Sequence, residues 1–187
     1  MTRSANLSIA FTEEQSMILD SAQAFCRDKS DGNAVRSLLK SETGFNQDVW
    51  DEMVALGWTG LSIPEQFGGF AMGIGATVPL VESMGRHMLC TPYISATIAA
   101  QAIVRGGSES QQTKWLPAMV QGTIGTLALL DNEDWGATST SCVLTGKDDQ
   151  LELKGKKLLV HDASVSDFFL VLAQHDGAEV LVIVESS

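Results

Sequence analysis

Three carboxylates and an amide stand together at Asp131, Asn132, Glu133 and Asp134, followed at once by Trp135 and Gly136. Carboxylate oxygens are ligands for a hard cation, but a cation needs them to converge from several directions. Here they share one loop and no second ligand group accompanies them, so the cluster reads as solvated. His161 sits in a strand-like run and reads either as a hydrogen-bonded structural histidine or as a ligand contact. Trp135 reads as a packing residue or as a gate beside a site. Cys26, Cys90 and Cys142 are far apart, odd in number and without metal-ligand spacing. They read as free thiols of a reducing compartment. Gly68-Gly69 lacks the strand and helix that flank a dinucleotide-binding fingerprint, and reads as a turn.

The elements that must position these groups fall into two kinds. Thr12 and Gln15 have capping-box spacing, and Ile18, Ala22 and Phe25 supply the apolar stripe of a first helix. A polar connection over 29–43 leads to a second helix, where Val49, Met53 and Leu56 recur on one face beside Trp50 and Gly57 closes the end. Helices are expected over 75–87, 95–104 and 110–120, the second so apolar around its girth that it should be buried on several sides. Pro117 blurs the boundaries of the third. Beyond Gly122 the pattern shortens to Val-, Leu- and Thr-rich runs at 123–130, 139–145, 151–153, 157–160, 167–173 and 180–184, separated by polar turns. The expected fold class is α+β. A helical domain over 1–122 would precede an incomplete antiparallel β-barrel-like domain over 123–187.

Charge narrows the partners. The 187 residues carry 12 basic and 23 acidic side chains, a formal charge of −11. That disfavours nucleic acid and anionic membrane surfaces, which are bound through excess Lys and Arg. There is no signal-peptide core and no membrane-length apolar run, so the expected location is the cytoplasm.

The order of landmarks resembles the acyl-CoA dehydrogenase family. The Trp50 helix, Leu56-Gly57, then Pro64-Glu65-Gln66-Phe67-Gly68-Gly69 match its front end. Lys114-Trp115-Leu116-Pro117 and Leu127-Ala128-Leu129 follow in the family's order. Leu153-Lys154-Gly155-Lys156-Lys157 is similar to its Leu-Asn-Gly-x-Lys hairpin. The resemblance implies an FAD cofactor, an acyl-CoA substrate and α,β-dehydrogenation, with electrons passed to an electron-transfer flavoprotein. It places cofactor-binding positions at Leu129, Leu130, Trp135, Gly136, Leu159, Val160 and His161. No residue matches the family's catalytic glutamate, which would lie outside this chain.

At those positions the chemistry is altered. Leu129-Leu130-Asp131-Asn132 stands where the family has Leu-Thr-Glu-Pro, and Leu159-Val160-His161-Asp162 where it has Trp-Ile-Thr-Asn. Two lost hydroxyl donors at about 1 kcal/mol each weaken FAD by about tenfold to a hundredfold. The lost stacking Trp adds about 0.5–1.5 kcal/mol. An alternative expectation is therefore a non-catalytic subunit or interaction module of a heteromeric acyl-CoA dehydrogenase, with a degenerate flavin site. A plain acyl-CoA-binding domain is a third. The small residues Gly73, Gly75, Ala76, Ala96, Ala99, Ala100 and Ala102 either leave room for an acyl group or pack helices closely. The 180–184 run should form an exposed sheet edge and favour a homo- or hetero-oligomer.

Overall fold

The computed structural model describes residues 11–134, 140–146 and 150–186. Six helices come first: α1 (Glu13–Lys29), α2 (Gly32–Leu38), α3 (Gln47–Ala55), α4 (Val78–His87), α5 (Tyr93–Gly106) and α6 (Glu109–Val120). Five strands follow: β1 (Gly125–Ala128), β2 (Val143–Thr145), β3 (Glu152–Lys154), β4 (Phe168–His175) and β5 (Ala178–Glu185). Helices then strands is the order that the change of periodicity near Gly122 predicts.

Local chemistry sets the helix ends. The Thr12 hydroxyl accepts from the Gln15 N–H while the Gln15 side chain accepts from the Thr12 N–H, a complete capping box. Ser108 and Gln111 repeat it on α6. The 29–43 connection contains a helix that the pattern does not show. Asp31 caps α2 through the Asn33 and Ala34 N–H groups, yet none of its residues is buried, so no stripe betrays it. Gly57 ends α3 at φ 75°, with its N–H on the Val54 carbonyl at 2.8 Å.

The sheet is mixed where the sequence suggests an antiparallel one. The hairpins β2–β3 and β4–β5 are antiparallel, but β1 and β2 both pair with β4 in parallel. A turn signal reports only strands that are neighbours in sequence, whereas β1 reaches β4 through a long crossover. The 157–160 run forms no strand, and His161 sits in a turn. β5 pairs with β4 over eight residues. Among the described residues nothing pairs with its other edge.

Both faces of β4 are covered, which explains its unbroken apolar reading. Phe168 and Leu170 join the helical core around Trp50, Met53, Tyr93 and Leu116. On the opposite face Ala173 packs with Cys142 and Leu144 in a smaller cluster. The earlier helices are tied to the end of α6, just ahead of β1, by Trp50 Nε1 to the Gly122 carbonyl (3.0 Å) and by Thr59 Oγ1 to the Val120 carbonyl (2.8 Å). The Trp115 and Phe168 rings lie 4.3 Å apart. Cys26 is buried, and burial pushes its thiol up to about 11, an inert packing group.

The Gly68-Gly69 turn is as expected, and its second glycine is a matter of space. A Cβ there would collide with the Ile63 backbone carbonyl. Gly69→Ala is expected to destabilise the fold by about 1–3 kcal/mol, the range for overpacking, read as a lower urea midpoint.

Candidate functional site: a cleft between α5 and the sheet

A cleft of about 760 Å³ opens between the first turns of α5 and the end of β1. α5 contributes Ile94, Ser95 and Ile98, and the chain leaving β1 contributes Leu129, Leu130 and Asp131. The loop before β4 closes a third side with Leu158, Leu159, His161 and Asp162. The walls are aliphatic and unusually open. Ile94, Ile98, Leu129 and Leu159 are 48%, 45%, 42% and 55% exposed, a continuous apolar surface rather than scattered side chains.

The third wall is held tightly. Thr126 Oγ1 donates to the His161 carbonyl at 2.8 Å, and Ser95 Oγ donates to Asp162 Oδ2 at 2.5 Å, bridging α5 to the loop. The Ser166 hydroxyl donates to the Asp162 carbonyl at 2.8 Å. Leu159 and Asp162 both have positive φ, at 52° and 53°. Left-handed backbone costs an ordinary residue about 1–2 kcal/mol. Here it is imposed on a leucine that turns its side chain to open space beside a cleft. Strain kept in such a place marks a candidate ligand wall.

Asp131 is not the solvated carboxylate that its acidic neighbours suggest. Its side chain is 13% exposed and that of Lys157 is 7% exposed, and Lys157 Nζ reaches Asp131 Oδ1 at 2.5 Å. The same ammonium donates to Thr140 Oγ1 at 2.7 Å and to the Leu129 carbonyl at 3.0 Å, which uses all three of its protons. The other Asp131 oxygen accepts from the Ser141 N–H and from the Ser141 hydroxyl (2.9 Å). Burial opposes ionisation of this carboxyl. The Lys157 ammonium and the Ser141 and Thr140 donors outweigh it and hold the pKa down at about 2.

Of the positions expected to hold a cofactor, Leu129, Leu130, Leu159 and His161 converge on the cleft. Val160 is half-buried and is not among the lining residues. Trp135 and Gly136 lie outside the described residues. The small residues of 73–102 do not line the cleft; Ala96, Ala99 and Ala100 face the core and serve close packing. Ile94 and Ile98 are new to the site. Their i,i+4 spacing on α5 was the available signal, and it marks a face left open rather than the expected burial on several sides.

The cleft suits the uncharged ring system of a flavin or an acyl chain. Leucine and isoleucine faces supply apolar contact, and the Thr91 hydroxyl at its edge is buried with no partner among the described residues. Among the described residues no Lys or Arg lines the cleft.

Residues 12–123 match the family model described as the acyl-CoA dehydrogenase N-terminal domain. The chain belongs to the acyl-CoA dehydrogenase family. It is 26% identical over 177 residues to acryloyl-CoA reductase (NADH) of Anaerotignum propionicum, an alignment covering 91% of this chain and 44% of that protein. A variant of the Tcur3481–Tcur3483 steroid ACAD superposes with a TM-score of 0.85 at 28% identity, covering 92% of this chain and 48% of that one. The ChsE4–ChsE5 complex of Mycobacterium tuberculosis contains the same fold, at TM-score 0.86 and 24% identity over 96% of this chain and 49% of that one. The chain thus spans about half the length of these relatives. Among the described residues no helix is long and apolar enough to cross a membrane.

The buried pair gives the site a measurable acid limit. The Asp131 carboxyl lies at about 2 against an ordinary 3.8. Its stabilisation is complete above about pH 4 and is lost as pH falls towards 2. Asp131→Asn, which strands the Lys157 ammonium, is expected to cost about 3–5 kcal/mol in urea unfolding at neutral pH. In the variant this acid-dependent component should be absent.

Proposed function

We propose that this chain supplies one half of a flavin-dependent acyl-CoA dehydrogenation site, with the catalytic glutamate and the opposing wall provided from outside it. The observation that carries the reading is the open aliphatic cleft. Two separate stretches expected from the family resemblance to meet a flavin line it together with the first turns of α5, and four of its side chains remain about half exposed. Bound there, FAD would supply the acceptor for the hydride leaving the acyl β-carbon. This chain's residues would do the rest of what its half requires. The Leu130 N–H is a donor for a ring-edge acceptor, Leu129 and Leu159 pack on the ring, and Ile94 and Ile98 exclude water from the acyl group. Asp131 is not a base in this scheme, because its oxygens are held by Lys157, Thr140 and Ser141. Electrons would leave to an electron-transfer flavoprotein, as the family resemblance implies.

Titrating the purified chain with FAD tests this. Saturable, weak uptake is expected, seen as quenched flavin fluorescence and a perturbed flavin band at about 450 nm. Ile98→Asp puts a charge on an already exposed cleft position and should weaken uptake at least about tenfold, since a carboxylate cannot be desolvated there without a partner. Absence of saturable binding by the parent would remove the reading.

One observation favours the second reading, a subunit with a degenerate flavin site. Leu130 and His161 stand where hydroxyl donors are expected, and Leu159 stands where a stacking Trp is expected. In either case the chain would work in an assembly. The unpaired outer edge of β5, with Val180 to Val184 uninterrupted by charge or proline, is an attractive surface for another strand. Light scattering after size exclusion is expected to show self-association at micromolar concentration. A clean monomer would count against an exposed adhesive edge.

A further inference from the structure

We infer that Thr91, Ser95 and Asp162 form a polar corner of the cleft that selects an acyl group carrying an uncharged hydroxyl. The inference rests on the acyl-CoA reading above and adds to it the chemical class of the acyl group.

All three residues line the cleft. Thr91 stands just ahead of α5 and Ser95 in its first turn, and Ile94 and Ile98 run beside them with the same i,i+4 spacing. The apolar stripe of the cleft is thus accompanied by a polar one. Ser95 is only 9% exposed, and its hydroxyl donates to Asp162 Oδ2 at 2.5 Å. The Thr91 hydroxyl is shut away from solvent and has no partner among the described residues. Among those residues the second Asp162 oxygen accepts from no donor either. Backbone contacts hold this carboxylate in place. The Asp162 carbonyl accepts from the Val165 N–H at 3.1 Å and from the Ser166 hydroxyl at 2.8 Å, and Thr126 holds the His161 carbonyl beside it. A group fixed in this way loses little freedom on meeting a ligand.

Support of the helix explains part of the corner. A carboxylate beside the first turn of α5 is favoured by the helix dipole, which accounts for the bond to Ser95. It leaves a threonine hydroxyl buried without a partner, which native structures seldom do. The two open groups define what fits. A carboxylate oxygen only accepts, whereas a hydroxyl both donates and accepts. A ligand hydroxyl satisfies both, donating to Asp162 and accepting from Thr91. A ketone has no proton to give Asp162. A carboxylate is repelled, with no Lys or Arg among the described lining residues to offset it. An ammonium gives up too much hydration among isoleucines and leucines.

The test titrates acyl-CoA probes into the parent chain by calorimetry with FAD present. The probes are hexanoyl-CoA, its derivatives hydroxylated at the terminal or the penultimate carbon, the penultimate ketone, and adipoyl-CoA, which ends in a carboxylate. One hydroxylated probe is expected to bind at least about tenfold tighter than hexanoyl-CoA, as for a hydrogen bond to a charged group. The ketone and adipoyl-CoA should gain nothing. Thr91→Val removes the unsatisfied hydroxyl, so its urea midpoint should equal or exceed the parent's while the hydroxyl preference falls towards one. Asp162→Asn suits a left-handed backbone and turns the open oxygen into an amide donor, so the ketone should gain on the alcohol. That reversal is not expected of a residue that only supports the fold, and it decides the matter if Thr91→Val fails to fold. A parent that binds hexanoyl-CoA as well as every hydroxylated probe overturns the inference and leaves the acyl-CoA reading intact. So does a preference that survives unchanged in both variants. Thr91→Val with a lowered midpoint, and no preference in the parent, identifies a hydroxyl satisfied by trapped water alone and overturns it too. A parent that takes up neither FAD nor any acyl-CoA removes both readings.

Discussion

Phe168 must be kept from water, and the arrangement of the cleft follows from how that is done. Its side chain is fully buried, lies against Trp115 of α6 and fills the space above Gly125, where any Cβ would strike the ring. This contact presses β1 and β4 together in parallel while anchoring them to the helices. Burying an aromatic side chain of this size is worth about 1.5–3 kcal/mol, and the ring pair adds about 0.5–1.5 kcal/mol. Because β1 is fixed at its beginning, its far end is delivered beside the first turns of α5. The Asp167 carboxylate reinforces the register by accepting from the Ile124 N–H at 2.7 Å.

Much of this was legible in the residues. Capping boxes at Thr12 and Ser108 depend on partners three positions away, and Gly57 depends on one helix turn. Local rules of this kind survive folding because nothing distant competes with them. The antiparallel hairpins were equally readable, being built from sequence neighbours. The parallel pairing of β1 with β4 was not, since strand direction across a long crossover is decided by packing around Phe168. The α2 helix was hidden for the opposite reason: it buries nothing, so only the Asp31 cap could have announced it.

The site divides in the same way. Leu129, Leu130, Leu159 and His161 came from the order of motifs, and the cleft brings them together. Asp131 was misread because charge density in sequence says nothing of the cation that will face it. Lys157 lies in a basic run with Lys154 and Lys156, which looks like a solvated turn, yet its side chain is almost fully enclosed. Family order was thus a better guide to place than residue type was to environment.

The half-exposed isoleucines and leucines of the cleft carry a consequence for the life of the protein in a cell. An aliphatic face of this kind is attractive to chaperones and to other unfinished surfaces until something covers it. Left uncovered, such a face would divert the chain towards proteolysis or aggregation.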